Sequence, residues 1–299
     1  MFALAACILA STVISLLFRA FPGYGVRNLP AIVVNYGVCV LCGAAFEGAW
    51  PLTAELLDSR WLPLAFVLGF LFIGGFNLNA LCVQRAGVAV TSVVQRISLL
   101  LSVGFAVLYY GEAVGLWQAV GIALGLLAVV LTVRFGGGSD SAEGGQGGGA
   151  AAYLLPIGVF LLAGGIESLL TVAQRSYDAG GDVSFTVGLF AWAGVLGFLA
   201  HAFATLRRPP GQRGVLFSRR DLLGGIALGI PNFFSIHLIL VALREGLAAT
   251  TVFPVLNVAT IVLSALAALA LFAERLSPKQ WAGVATAVVA IALLTMRST

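Results

Sequence analysis

Ten apolar runs, each near the length needed to cross a bilayer, leave this chain of 299 residues few options. They occupy 2–18, 29–46, 62–83, 91–110, 116–134, 152–173, 184–205, 222–242, 250–272 and 279–296. A helix needs roughly 20 apolar residues to traverse about 30 Å of hydrocarbon. Lipid offers no partners to backbone N–H and C=O groups, so a run of this kind must satisfy them internally, as a helix. With 60% hydrophobic and 9% charged residues, the chain has too little charge to cover a water-facing surface of this size. The predicted fold class is an all-α integral membrane protein of ten transmembrane helices.

The ten runs are one unit of five written twice. Thr91 answers Thr250 at an offset of 159 residues, and Glu112, Gln118 and Gly121 answer Glu274, Gln280 and Gly283 at 162. Upstream, Arg85 and Gly87 answer Arg244 and Gly246, again at 159, while Ser15-Leu16-Leu17 with Tyr24 answers Ser168-Leu169-Leu170 with Tyr177 at 153. The division is a first repeat over 1–135, a Gly/Ser-rich linker over 136–150 and a second repeat over 151–299. The linker has no apolar face to bury and reads as a flexible tether. Five crossings is an odd number, so the second repeat must enter the bilayer from the opposite side. Two inverted repeats around a central cavity have nearly equivalent packings open to either side, which is the basis of alternating access.

The net charge of +4 is spread over loops and forms no basic stripe that would engage nucleic acid. Loops after odd-numbered runs, with Arg96, hold twelve of the sixteen Lys and Arg residues. By the positive-inside rule those loops are cytoplasmic and both termini are outside. The first run lacks a basic leader segment and reads as a retained span. Cys7, Cys39, Cys42 and Cys82 fall within apolar runs, where a thiol behaves as a small hydrophobe. No metal site or cofactor is expected.

The paired hinges GEAVGLWQAVG (Gly111–Gly121) and AERLSPKQWAG (Ala273–Gly283) resemble the glutamate-glutamine-glycine signature that ends each repeat of EamA proteins in the drug/metabolite transporter superfamily. The resemblance covers the whole chain. It implies an inverted-repeat bundle that moves small metabolites such as amino acids, usually as an exporter. The proline that often bends the fourth span of such repeats stands in the second copy as Pro254, whereas the first copy has Gln95-Arg96.

Glu167 is the carboxylate that lies clearly within an apolar run. An ionisable group there costs at least about 2.5 kcal/mol on insertion scales, so it must face a cavity or a partner. It reads as a proton carrier or a binder of a cationic substrate group, or else as a neutral or paired residue tying helices. Arg96, five residues into its run, either snorkels to the headgroups or points inward to hold a carboxylate or phosphate. Asn35, Tyr36, Asn77, Asn79, Trp192, Asn232 and Asn257 are candidate cavity lining, with cross-linking of helices as the plainer role. His237 and His201 are candidates for titration near neutral pH or for simple helix contacts. Gly74-Gly75 and the IPNFF segment around Pro231 read as interruptions of their spans. Glu112 and Glu274 sit at span ends and read as caps, while Gly121 and Gly125 offer a helix-packing face within the monomer.

These residues favour a secondary transporter of the bacterial inner membrane, a monomer or weak homodimer in contact with lipid, a small polar or amphipathic metabolite and possible coupling protons. A passive facilitator or channel is the alternative. An intramembrane enzyme fits poorly, since the aspartates lie in or beside loops and no nucleophile elbow or nucleotide loop is present.

Overall fold

The computed structural model describes residues 1–48, 58–86, 88–132, 151–207, 209, 215–272 and 277–295. Among these are eleven α-helices and no strand: α1 (Phe2–Tyr24), α2 (Asn28–Glu47), α3 (Leu62–Ala86), α4 (Val88–Ile97), α5 (Leu99–Tyr110), α6 (Leu116–Thr132), α7 (Ala151–Tyr177), α8 (Ser184–Leu206), α9 (Arg219–Arg244), α10 (Ala249–Phe272) and α11 (Pro278–Thr295). α4 and α5 share the fourth apolar run, so the described helices match the ten predicted crossings one for one. Among the described residues nine stretches are long and apolar enough to cross a membrane, and the 17-residue α6 is a tenth, shorter apolar helix. Leu108, 88% exposed, and Phe2, 86% exposed, point away from the protein, as they do when the surrounding solvent is lipid. The linker over 136–150 and Glu274 lie outside the described residues.

The chain forms two compact units, one of Met1–Ile73 with Val172–Gly246 and one of Gly74–Thr171 with Leu247–Thr299. Each unit therefore takes helices from both halves of the sequence. In the first, α9 packs on α1 and α2, and α8 packs on α2. In the second, α6 and α11 pack on one another and both meet α10.

Lipid tails are as apolar as Leu, so helices in a membrane associate through close packing and polar ties, not through exclusion of water. α6 and α11 do both, reciprocally. A Cβ on Gly121 would stand 3.2 Å from the Ala290 carbonyl oxygen of α11, and one on Gly283 would stand 3.0 Å from the Thr132 nitrogen of α6. The backbones approach because neither residue has a side chain. The glutamine three residues before each glycine closes the turn that starts its helix. Gln118 Oε1 accepts from the Gly115 N–H at 3.1 Å, and Gln280 Oε1 accepts from the Ser277 N–H at 2.9 Å. The amides then reach a neighbour: Gln118 Nε2 donates to Thr251 Oγ1 of α10, and Gln280 Nε2 donates to the Thr132 carbonyl of α6.

Two expected interruptions do not occur. α3 runs unbroken through Gly74-Gly75, and α9 runs unbroken through Pro231. Glycine weakens a helix by about 1 kcal/mol in water, but in hydrocarbon no other partner exists for the freed backbone groups. Gly75 instead opens room for the Leu162 side chain of α7. Proline removes one N–H and bends its helix, and α9 absorbs this. The irregularity lies at Ser98, between α4 and α5. Its hydroxyl donates to the Gln95 carbonyl at 2.6 Å, and its own carbonyl accepts from Leu101 three residues on, tightening one turn.

Candidate functional site

That tightened turn follows directly on Arg96, in the last turn of α4. The half-buried guanidinium donates from Nη1 to Asn257 Oδ1 at 2.9 Å. Asn257, 5% exposed on α10, donates from Nδ2 to Glu167 Oε1 of α7 at 2.9 Å and to the Phe253 carbonyl at 3.0 Å. The other carboxylate oxygen of Glu167 accepts from the Ser102 hydroxyl of α5 at 2.6 Å. Cation, amide, carboxylate and hydroxyl thus form one chain of hydrogen bonds within the second unit. The amide orientation is dictated by chemistry: reversed, Asn257 would set its NH₂ against a guanidinium and its carbonyl against a carboxylate.

The cluster holds two opposite charges in apolar spans with Asn257 as the bridge between them. A guanidinium has five N–H donors and a carboxylate about four acceptor sites. Among the described residues one donor of Arg96 and two acceptor positions of Glu167 are engaged. Among the described residues both groups therefore keep unused hydrogen-bonding positions. Arg96 faces the protein and does not snorkel.

A second polar group lies in the first unit and carries no charge. Asn232 Nδ2 of α9 donates to Asn35 Oδ1 of α2 at 3.2 Å and to Cys39 Sγ at 3.8 Å, while Cys39 donates to the Gly229 carbonyl at 3.3 Å. This arrangement ties α2 to α9. Tyr36 is buried against Phe190, ring centroids 5.9 Å apart, at the edge of an apolar groove of about 380 Å³ formed by α2 and α8. Trp192 meets Phe66 edge-on at 5.0 Å. His237 is buried, stacked on Phe233 at 5.8 Å with Phe46 edge-on at 5.6 Å, and its Nδ1 has no partner among the described residues. His201 shares a hydrogen bond of 3.0 Å with the Leu216 carbonyl. Asn77 and Asn79 lie on α3 in the second unit, the first exposed and the second half-buried, outside the Glu167 hydrogen-bond chain.

Of the eleven candidates, then, Arg96, Glu167 and Asn257 are brought together, Asn35 and Asn232 form a separate tie, and the remainder are dispersed. Ser102 was not among them: a serine in an apolar run gives no signal until its partner, 65 residues away, is known. Glu112 caps a helix, though not the one beginning after its own hinge. Its carboxylate accepts from the backbone N–H groups of Ala249 and Thr250 at 3.2 and 3.0 Å, at the start of α10, where the helix dipole favours an anion. An ion pair joins Arg27 to the fully buried Asp221 at 2.6 Å, with Ser218 and Asp221 forming a capping box for α9.

Residues 1–134 match the model of the EamA-like transporter family, which belongs to the drug/metabolite transporter superfamily. Over 291 residues the chain is 26% identical to an uncharacterised protein of Haemophilus influenzae, spanning 95% of this chain and 94% of that one. A solved crystal structure shares the fold over 99% of both chains, with a TM-score of 0.74 at 20% identity.

Proposed function

We propose, with the EamA-like character of residues 1–134 as premise, that this multi-pass membrane protein is a secondary transporter exporting a small polar metabolite across the bacterial inner membrane by alternating access. The substrate class that best suits the Arg96–Asn257–Glu167 chain is a zwitterion such as an amino acid. A carboxylate takes the place of the Asn257 carbonyl on Arg96, and an ammonium takes the place of the Asn257 NH₂ at Glu167. Asn257 is then a placeholder that keeps both charges solvated while the site is empty. A carboxylate that exchanges a cationic substrate group for a proton also couples flux to the proton gradient, with no role for a cofactor or for catalytic chemistry.

The observation that carries this reading is the pair of opposite charges bridged by one amide inside apolar spans. A charge in a span is costly and marks a functional path by default. The test is a thermal-unfolding screen of purified protein against amino acids, nucleosides and sugar phosphates. A ligand present at 100 times its Kd stabilises the native state by about 2.7 kcal/mol. A zwitterion is expected to stabilise the wild type, and Glu167→Gln and Arg96→Gln are each expected to abolish the shift. Undiminished stabilisation of both variants by the same compound would remove this cluster from the binding site.

A further inference from the structure

The C-terminal end of α1 and the N-terminal end of α9 enclose a groove of about 490 Å³ within the first unit, apart from the polar clusters. Its walls are apolar, with Leu17 and Phe21 from α1, Val26 from the following turn, and Leu223 from α9. Leu223 is 68% exposed, and Ile226 and Ile230 continue the same outward surface along α9, facing where acyl chains lie. Tyr24, 73% exposed, stands at the mouth, an aromatic with a polar tip at the level where such residues anchor to headgroups.

Among the described residues one cation lines the groove, Arg220. The carboxylate next to it in sequence, Asp221, is turned inward and engaged by Arg27, and no carboxylate among the described residues pairs with Arg220. Its guanidinium lies over the α1–α2 turn at Gly25, which has φ 65°; a Cβ there would stand 2.7 Å from Arg220 Nη1. Glycine at this position both permits the left-handed turn and leaves the space that the guanidinium fills. The loops at this end belong to the arginine-rich side of the sequence, where the positive-inside rule places the anionic leaflet.

We propose that this groove is a binding site for an anionic phospholipid, with an acyl chain along Leu17, Phe21 and Leu223 and the phosphate on Arg220. The complementarity is specific: an apolar channel on the outward surface ends at a guanidinium with no carboxylate partner among the described residues, in the first turn of a membrane-length helix. A zwitterionic lipid fills the same channel but brings its own cation to the guanidinium. Lipid bound in this groove lies apart from the Arg96–Asn257–Glu167 chain, which belongs to the other unit.

The test compares short-chain phosphatidylglycerol with phosphatidylcholine of the same chain length, each titrated into the purified full chain and read by native mass spectrometry. One near-surface arginine is worth about fivefold in apparent affinity, so phosphatidylglycerol is expected to bind about fivefold more tightly, and Arg220→Gln is expected to equalise the two lipids. Arg219→Gln, an exposed neighbour outside the groove, is expected to leave the preference intact; an equal loss in both variants would mean general surface attraction and overturn the site. Glycerol phosphate, which lacks acyl chains, is expected not to compete, and competition by it would overturn the lipid assignment. A photoactivatable phosphatidylglycerol on the wild type covers the case in which the variant does not fold. Labelling of residues 17–26 and 220–227 supports the site, and labelling confined to other helices refutes it.

Discussion

Asn257 is the residue on which the candidate site turns, because its three polar contacts satisfy a cation, a carboxylate and its own helix at once. Removing one charge leaves the other uncompensated in an apolar span, whereas removing both leaves none. A double-mutant cycle of Arg96→Gln and Glu167→Gln in detergent is therefore expected to show the double variant more stable than the two single losses predict, by about 1–2 kcal/mol. Strict additivity would mean that the two charges do not feel one another. At this scale the sequence exposed the charges but not their company. Glu167 and Arg96 stood out because charge is rare in apolar runs, and Asn257 because an amide there needs a partner. Their pairing spans 90 and 161 residues, and nothing local encodes it.

Caps and close approaches set the stability of individual helices. Ser277 and Gln280 exchange hydrogen bonds with one another's backbone N–H groups at 3.3 and 2.9 Å, a capping box at the start of α11. Ser277→Ala is expected to cost about 1 kcal/mol in thermal unfolding, and no loss would show the cap to be idle. Gly121→Leu forces a side chain against the α11 backbone and is expected to cost about 1–3 kcal/mol. Unchanged stability would mean that α6 and α11 separate at no cost. Glu112 was legible as a cap from its position at a span end, since such positions leave backbone groups open. That Glu112 caps α10 was not legible, because its target lies 137 residues away. Gly74-Gly75 and Pro231 misled for a physical reason: they break helices where water competes for the backbone, and in lipid no competitor exists.

Across the whole molecule, ten crossings followed from run lengths, because an apolar run of roughly 20 residues spans hydrocarbon with its backbone satisfied as a helix, whereas a barrel strand needs about half that length. The offsets of 159 and 162 residues predict a duplication; the composition of the two compact units was not legible, since each draws helices from both halves. The arginine bias is expected to place the 136–150 linker in the cytoplasm. A cysteine introduced at Ser141 should then resist a membrane-impermeant thiol reagent in intact cells and react after lysis; labelling in intact cells would reverse the orientation. Whether Glu167 and Arg96 carry a zwitterion through the membrane is decided by flux into proteoliposomes under an imposed proton gradient, using the zwitterion that stabilises the wild type most. Gradient-driven accumulation is expected of the wild type and, in a folded and monodisperse Glu167→Gln protein, a fall of about tenfold or more in rate with loss of pH dependence. Wild-type flux and wild-type pH dependence in that variant would contradict that role for Glu167.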